Sequence, residues 1–358
     1  MFIYLLLVFL ILLFRFQVQR LVQSQAYRDE LEKKYLQIVC WILVILAALR
    51  GSTVGTDTIA YIYSYDAFSS FSWAEVFDRY ADYPGYYILS KICSLLHLPV
   101  QVLFGIVEGI YVYAIYKFTS RFSEDKLYTI LCFEMIGLYA FSLAGLKQTL
   151  SMAFVLLYFM AMMDKKYVQT AIFAVIAYYC HHVSLIFLFG VALYFIRNWK
   201  TFYWVLAGIV VLSLIGTNFL WVTMIGLLDN EHYSEAYIAD EGYSNTTMIF
   251  YGVLLLVLFL FSGNYRKERR EEANMVLGMS MLAFVFQAFS LISSAAFRLS
   301  YYFLPLMIVG FPNAFNRIGV KDMRWVVKAV VVFMIVFFFA YSNRNGGSVV
   351  PYKFFWQG

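Results

Sequence analysis

The sequence predicts an all-α, polytopic membrane protein of about twelve transmembrane helices plus one short re-entrant or interfacial helix. Three observations point there. Of the 358 residues, 63% are hydrophobic and only 14% are charged, whereas soluble domains carry roughly 25% charged residues. The mean hydropathy is +0.72. Apolar segments recur from Met1 to Tyr341, each bounded by charged or glycine-bearing loops, and a bilayer core asks for about 20 apolar residues per helix. No stretch is long or polar enough to fold as a soluble unit, so residues 1–358 read as a single integral-membrane domain.

The first run, "MFIYLLLVFLILLF", has no basic leader and no small-residue cleavage site, so it reads as a retained helix rather than a signal peptide. Further spans are expected at 36–49, 100–117, 127–143, 148–163, 167–181, 182–196, 202–228, 248–262, 275–294, 299–315 and 325–341. Segment 84–98, "PGYYILSKICSLLHL", is shorter and carries Lys91; it is the re-entrant or interfacial element. Basic residues set the orientation. With the N-terminus outside, the segments 15–35, 117–126, 164–166, 197–201, 263–274 and 316–324 face the cytoplasm and hold 19 of the 27 Lys and Arg. Both termini then lie outside. Making 84–98 a full crossing would invert every later loop.

Two longer outer loops follow, 50–83 and 229–247. The first contains "SWAE", Ser72 to Glu75, a capping-box pattern that predicts a short surface helix. The second is acidic and tyrosine-bearing. The inner loops read as plain basic connectors, which puts any chemistry on the outer face. The net charge of +5 is no nucleic-acid signal, because its cations sit between spans. Cys40, Cys93, Cys132 and Cys180 fall one per apolar segment without metal-ligand spacing, and read as buried free thiols.

Charged groups near a bilayer need partners. On the expected outer half lie Arg50 and Asp57, Lys147 where two spans meet, His181 and His182 between two short spans, and Arg298 in "AAFRLSYYFLPL". Cations converging at one depth would seat a pyrophosphate. Each also has a plainer reading. Arg50, Arg298 and Lys147 suit snorkelling anchors. Asp57 suits an N-cap for a helix starting at Thr58. The histidines suit interhelical packing, although their place at a break between half-length spans favours a water-filled cavity. Glu108 and Glu134, mid-span, read as a structural pair more readily than as a proton relay. Tyrosines number 30 and crowd the first outer loop. Aromatic belts account for part of that; the rest, with Tyr61, Tyr65, Tyr83 and Tyr86, fits a sugar-binding surface.

"LRGSTVGTDTIAYIYSYD" resembles the arginine, Gly-Thr-Asp and tyrosine signature of the EpsG family of exopolysaccharide polymerases, relatives of the Wzy O-antigen polymerases. "DYPGYYILSKI", "GLKQTLSMAFVL", "CHHVSLIFL", "FRLSYYFLPL" and "VPYKF" continue the family's order over nearly the whole chain. Lysine 147 stands where the family usually has arginine, so charge is kept and the bidentate fork is lost. The resemblance implies transfer of a growing glycan from undecaprenyl pyrophosphate to the non-reducing end of another lipid-linked unit. The setting would be the outer face of the bacterial cytoplasmic membrane. Arg50, Lys147 and Arg298 would hold the pyrophosphate, and His181 or His182 would be the base. Asp57 would orient Arg50 or a histidine, or act as base itself. One attack without a covalent intermediate gives inversion. No Asp-x-Asp pair or P-loop appears, so neither a metal nor a nucleotide donor or other cofactor is expected. The expected partners are the undecaprenyl-pyrophosphate-linked oligosaccharide and the bilayer, with a chain-length regulator left open and no nucleic acid. The competing classes are a lipid-linked oligosaccharide flippase or other transporter, a membrane acyltransferase acting on surface sugars, and a structural partner of an assembly complex.

Overall fold

The computed structural model describes residues 1–21, 24–196, 198–215, 245–291, 296–345 and 348–357. The described residues form helices joined by loops and turns, with one isolated β-bridge between Arg50 and Phe354. They divide into two compact units, residues 1–181 with 332–358, and residues 182–331.

The first unit runs through α1 (Phe2–Leu21), α2 (Gln25–Ala48), α3 (Thr58–Ala67), α4 (Trp73–Arg79), α5 (Pro84–Leu95), α6 (Val100–Phe122), α7 (Lys126–Met135), α8 (Leu138–Ala144), α9 (Leu146–Met163) and α10 (Tyr167–Cys180). Its frame is α2 against α6, α6 against α9 and α9 against α10. The expected inner connector 15–35 is mostly helix, because its Arg, Glu, Lys and Gln residues are good helix formers that carry α1 and α2 past the apolar edge. Two buried pairs hold that end. Arg15 meets Asp125 at 2.8 Å, and Lys126 meets Glu32 at 3.0 Å. Arg121 adds Asp164 at 2.8 Å. Segments 15–35, 117–126 and 164–166 therefore share one end of this unit.

The capping box forms: Ser72 accepts from the Glu75 N–H while Glu75 accepts from the Ser72 N–H, opening α4. Segment 84–98 yields a helix of 12 residues, α5. Its Lys91 is buried rather than snorkelling, and donates to the carbonyls of Phe68 (2.5 Å) and Phe71 (2.6 Å) beyond the end of α3. The expected span 127–143 is broken. Gly137 takes φ +107°, and α7 and α8 meet at a 50° bend. All four cysteines are buried and free of disulfides.

The second unit holds a 3-10 turn (His182–Ile186), α11 (Phe187–Tyr194), α12 (Trp199–Ile215), α13 (Asn245–Phe261), α14 (Gly263–Glu268), α15 (Arg270–Ala288), α16 (Phe297–Ser300) and α17 (Leu304–Phe315). The division falls within α18 (Lys321–Ser342). Helix α15 is central here and packs on α12, α13 and α17. Arg317 pairs with Glu268 at 2.8 Å, so segments 263–274 and 316–324 meet at one end. Most of loop 229–247 lies outside the described residues, as does the second half of span 202–228.

Among the described residues, five helices are long and apolar enough to cross a membrane, six if α7 and α8 make one bent span. That is short of the expected count of about twelve. Four further apolar stretches form helices of only 10–17 residues, below the length a bilayer core asks for.

Candidate functional site

The loop after α2 is fixed by the chain's last described segment. The Gly51 N–H donates to the Lys353 carbonyl (2.8 Å), the Phe355 N–H to Leu49 (2.9 Å) and the Gly55 N–H to Ser348 (2.5 Å). The hydroxyl of Tyr352 donates to the Leu46 carbonyl (2.5 Å) and that of Tyr4 to Val349 (3.0 Å). Residues 348–355 thus strap the Arg50 loop to the end of α2. Gly55 is required on the other side of the loop. It adopts φ +99°, and a Cβ there would lie 2.3 Å from the Leu143 carbonyl oxygen. That contact sets the loop against α8, one turn before Lys147.

Arg50 is 1% exposed, so it does not snorkel to a headgroup. Its guanidinium carbon sits 4.0 Å over the Phe104 ring, and Nη1 donates to the Ala47 carbonyl at 2.7 Å. Nε and Nη2 are buried with no hydrogen-bond partner among the described residues. Glu108, Tyr139, Tyr86 and Tyr352 are its electrostatic neighbours. A buried cation with unsatisfied donors is costly to maintain, and two such donors are suited to a phosphate oxygen.

Phe104 belongs to a buried cluster with Tyr61, Tyr65, Tyr83, Tyr86, Tyr87, Leu146 and Cys180. Tyr61 meets Tyr86 edge-on at 5.3 Å, and Tyr86 meets Tyr87 at 5.2 Å. Tyr65 is tied in by its hydroxyl, which donates to the Leu98 carbonyl at 2.6 Å. Lys147 closes the cluster, its Nζ 4.3 Å from the Tyr83 ring and 5.5 Å from Tyr87. The His181 imidazole stacks on Tyr83 at 5.2 Å and 16°. Close approach of α5 to the end of α10 makes this stack, and Gly85 permits it: a Cβ would lie 2.8 Å from Cys180 Sγ.

The structure therefore brings Arg50, Lys147, His181, Tyr61, Tyr65, Tyr83 and Tyr86 to one aromatic cluster. Asp57 stands at the N-cap of α3, yet its side chain makes no capping hydrogen bond, so the plain capping reading does not describe it. His182 and Arg298 belong to the second unit. Glu108 accepts from the Ser142 hydroxyl at 3.0 Å, while both carboxylate oxygens of Glu134 are buried with no partner among the described residues. Sequence reasoning named Glu108 without placing it beside Arg50, and it missed the rest of that shell: Phe104, Tyr139 and Tyr352. Only Tyr352, in "VPYKF", carried a local signal. Phe104 and Tyr139 look like any apolar-span aromatics until tertiary packing selects them.

No curated relative and no solved structure matches the chain. The EpsG family model matches residues 33–354, an interval that begins inside α2 and ends at Phe354, the bridge partner of Arg50. The chain belongs to the EpsG family.

Proposed function

We propose that this membrane protein is a polysaccharide polymerase, a glycosyltransferase acting on lipid-pyrophosphate-linked repeat units. The acceptor hydroxyl attacks the anomeric carbon of the donor glycan and passes its proton to a base. The bond from that carbon to the pyrophosphate oxygen breaks, and the departing oxygen keeps the electron pair. One such displacement inverts the anomeric centre. His181 is the base, since imidazole titrates near working pH. Arg50 and Lys147 face the negative charge that grows on the leaving group. Tyr83 and Tyr61 carry the sugar-facing surface, with Tyr65 and Tyr86 as the wall behind them, and Asp57 orients the base or Arg50. Arg298 and His182, in the second unit, are given no role in this step. The setting is the bacterial cytoplasmic membrane, with the site outside and the shorter apolar helices completing the crossings.

The observation that supports this most is Arg50, a buried guanidinium with two donors left over, bordering the cluster that also holds Lys147 and His181. Family membership supports the same class of activity. A second reading, a lipid-linked oligosaccharide transporter, draws on the buried carboxylate of Glu134, which has no hydrogen-bond partner among the described residues, as a proton carrier. Product size separates the two. Cells lacking a polymerase still display single repeat units, whereas cells lacking the transporter display none. Loss of all surface sugar on deleting this chain would end the polymerase reading.

A further inference from the structure

The second unit carries a basic cavity that the proposed chemistry does not use. A cavity of about 320 Å³ lies at the end where α12, α14 and α15 meet, lined by Tyr203, Gly263, Arg266, Lys267, Arg270 and Asn274. Three of the six are cations, and none is acidic. Of the carboxylates nearest in sequence, Glu268 is engaged with Arg317 at 2.8 Å, Glu272 with Arg269 at 3.3 Å and the Tyr265 hydroxyl at 2.8 Å, and Glu271 is exposed and not part of the lining. The cavity wall is therefore positive.

Arg266 is held as a preset donor. Its guanidinium lies 5.0 Å from the Phe259 ring, and Nη1 donates to the Tyr203 hydroxyl at 3.2 Å. That hydroxyl donates onward to Asn274 Oδ1 at 3.3 Å. Nε is buried and has no hydrogen-bond partner among the described residues. A guanidinium pinned on two sides with a donor to spare is the arrangement that recognises a phosphate. The volume falls at the lower end of small-ligand pockets, about 300–1,000 Å³, enough for a glycerophosphate headgroup. Segments 263–274 and 316–324, which meet at this end, are rich in basic residues. Basic pockets between helices on the cytoplasmic side suit anionic lipid headgroups.

We propose that Arg266, Lys267 and Arg270 form a phosphate-binding site, filled by the headgroup of an anionic phospholipid. The test uses the full chain in nanodiscs, read by native mass spectrometry for retained phosphatidylglycerol against an excess of phosphatidylcholine. Wild type should retain it. Arg266→Ala and Lys267→Glu should each lower retention, ~5-fold for every unit of positive charge lost. Lys267 is exposed, so its variant leaves the Arg266–Tyr203 contact alone and remains informative if Arg266→Ala misfolds. Lys33→Ala/Lys34→Ala, on the exposed face of α2, should change nothing. A second arm adds inorganic phosphate to phosphatidylcholine nanodiscs and follows thermal stability. A stabilisation lost in Lys267→Glu would keep the site and assign its occupant as free phosphate. Equal lipid retention by wild type and both variants, with no variant-sensitive response to phosphate, overturns the proposal.

Discussion

Tyr83 and His181 lie ring against ring, 5.2 Å between centroids and 16° from parallel, and the ammonium of Lys147 sits 4.3 Å from the same Tyr83 ring. One phenol therefore positions both the proposed base and a proposed phosphate ligand. Cation–π contact is worth about 0.5–2 kcal/mol and depends on the ring, not the hydroxyl. Tyr83→Phe should keep chain elongation within a few fold of wild type. Tyr83→Ala should lower it on the order of 100-fold, the scale of a 1 Å misplacement. Elongation rates on a defined lipid-linked unit check this, and equal rates for the two variants would remove Tyr83 from the site.

The stack depends on a glycine. Gly85→Ala would put a Cβ 2.8 Å from Cys180 Sγ and 3.1 Å from Cys180 N, forcing α5 off the end of α10. A destabilisation of about 1–3 kcal/mol is expected, visible as a lower Tm, together with slower elongation. Gly208 is the control, because a Cβ there meets nothing within 4 Å. Gly208→Ala should leave elongation unchanged.

Much of this was legible in the sequence, and the failures have physical causes. The capping box at Ser72–Glu75 is a local pattern, and it forms as read. Spans 100–117, 148–163 and 325–341 reappear as α6, α9 and α18 with slightly wider ends, because hydrophobic runs mark membrane helices strongly. The break at Gly137 was not legible, since a lone glycine in an apolar run is also tolerated within a helix. Nor was the helical state of 15–35, where charge was read as loop although Glu, Lys and Arg favour helix. In the site, Arg50 and Lys147 stood out as cations at the edges of apolar spans. Their common tyrosine cluster did not, because it joins residues 61 to 181 through tertiary contacts with no fixed spacing.

The strap over Arg50 has its own test. Tyr352→Phe removes the hydroxyl that donates to Leu46, and Tyr4→Phe the one that donates to Val349. Each should cost about 1 kcal/mol. Because both hold residues 349–352, the double variant should depart from additivity. Thermal unfolding of the four proteins in nanodiscs measures that coupling. Strict additivity would mean that the strap does not act as one unit.

Acid should loosen α4 selectively. The Ser72 backbone N–H, 2.6 Å from the Glu75 carboxylate, holds its pKa below the usual carboxylate value, with the Ser72 side chain adding to the effect. A depressed folded pKa gives stability that is present above the unfolded value, about 4.3, and lost as pH falls through the folded one. Protection of residues 73–79 in hydrogen exchange, corrected for intrinsic rates, should drop on acidification in wild type. Glu75→Gln should show no such drop.

The central claim is that Arg50, Lys147 and His181 act together on a phosphate-linked glycan. The most direct measurement is elongation of a defined lipid-pyrophosphate repeat unit by purified Arg50→Ala, Lys147→Ala, His181→Ala and Asp57→Ala variants that insert and unfold like wild type. His181→Ala should lose on the order of 10²–10⁴ in rate, the range for a general base, and the cation variants should stall at the shortest products. Polymers of wild-type length from all four would contradict the account.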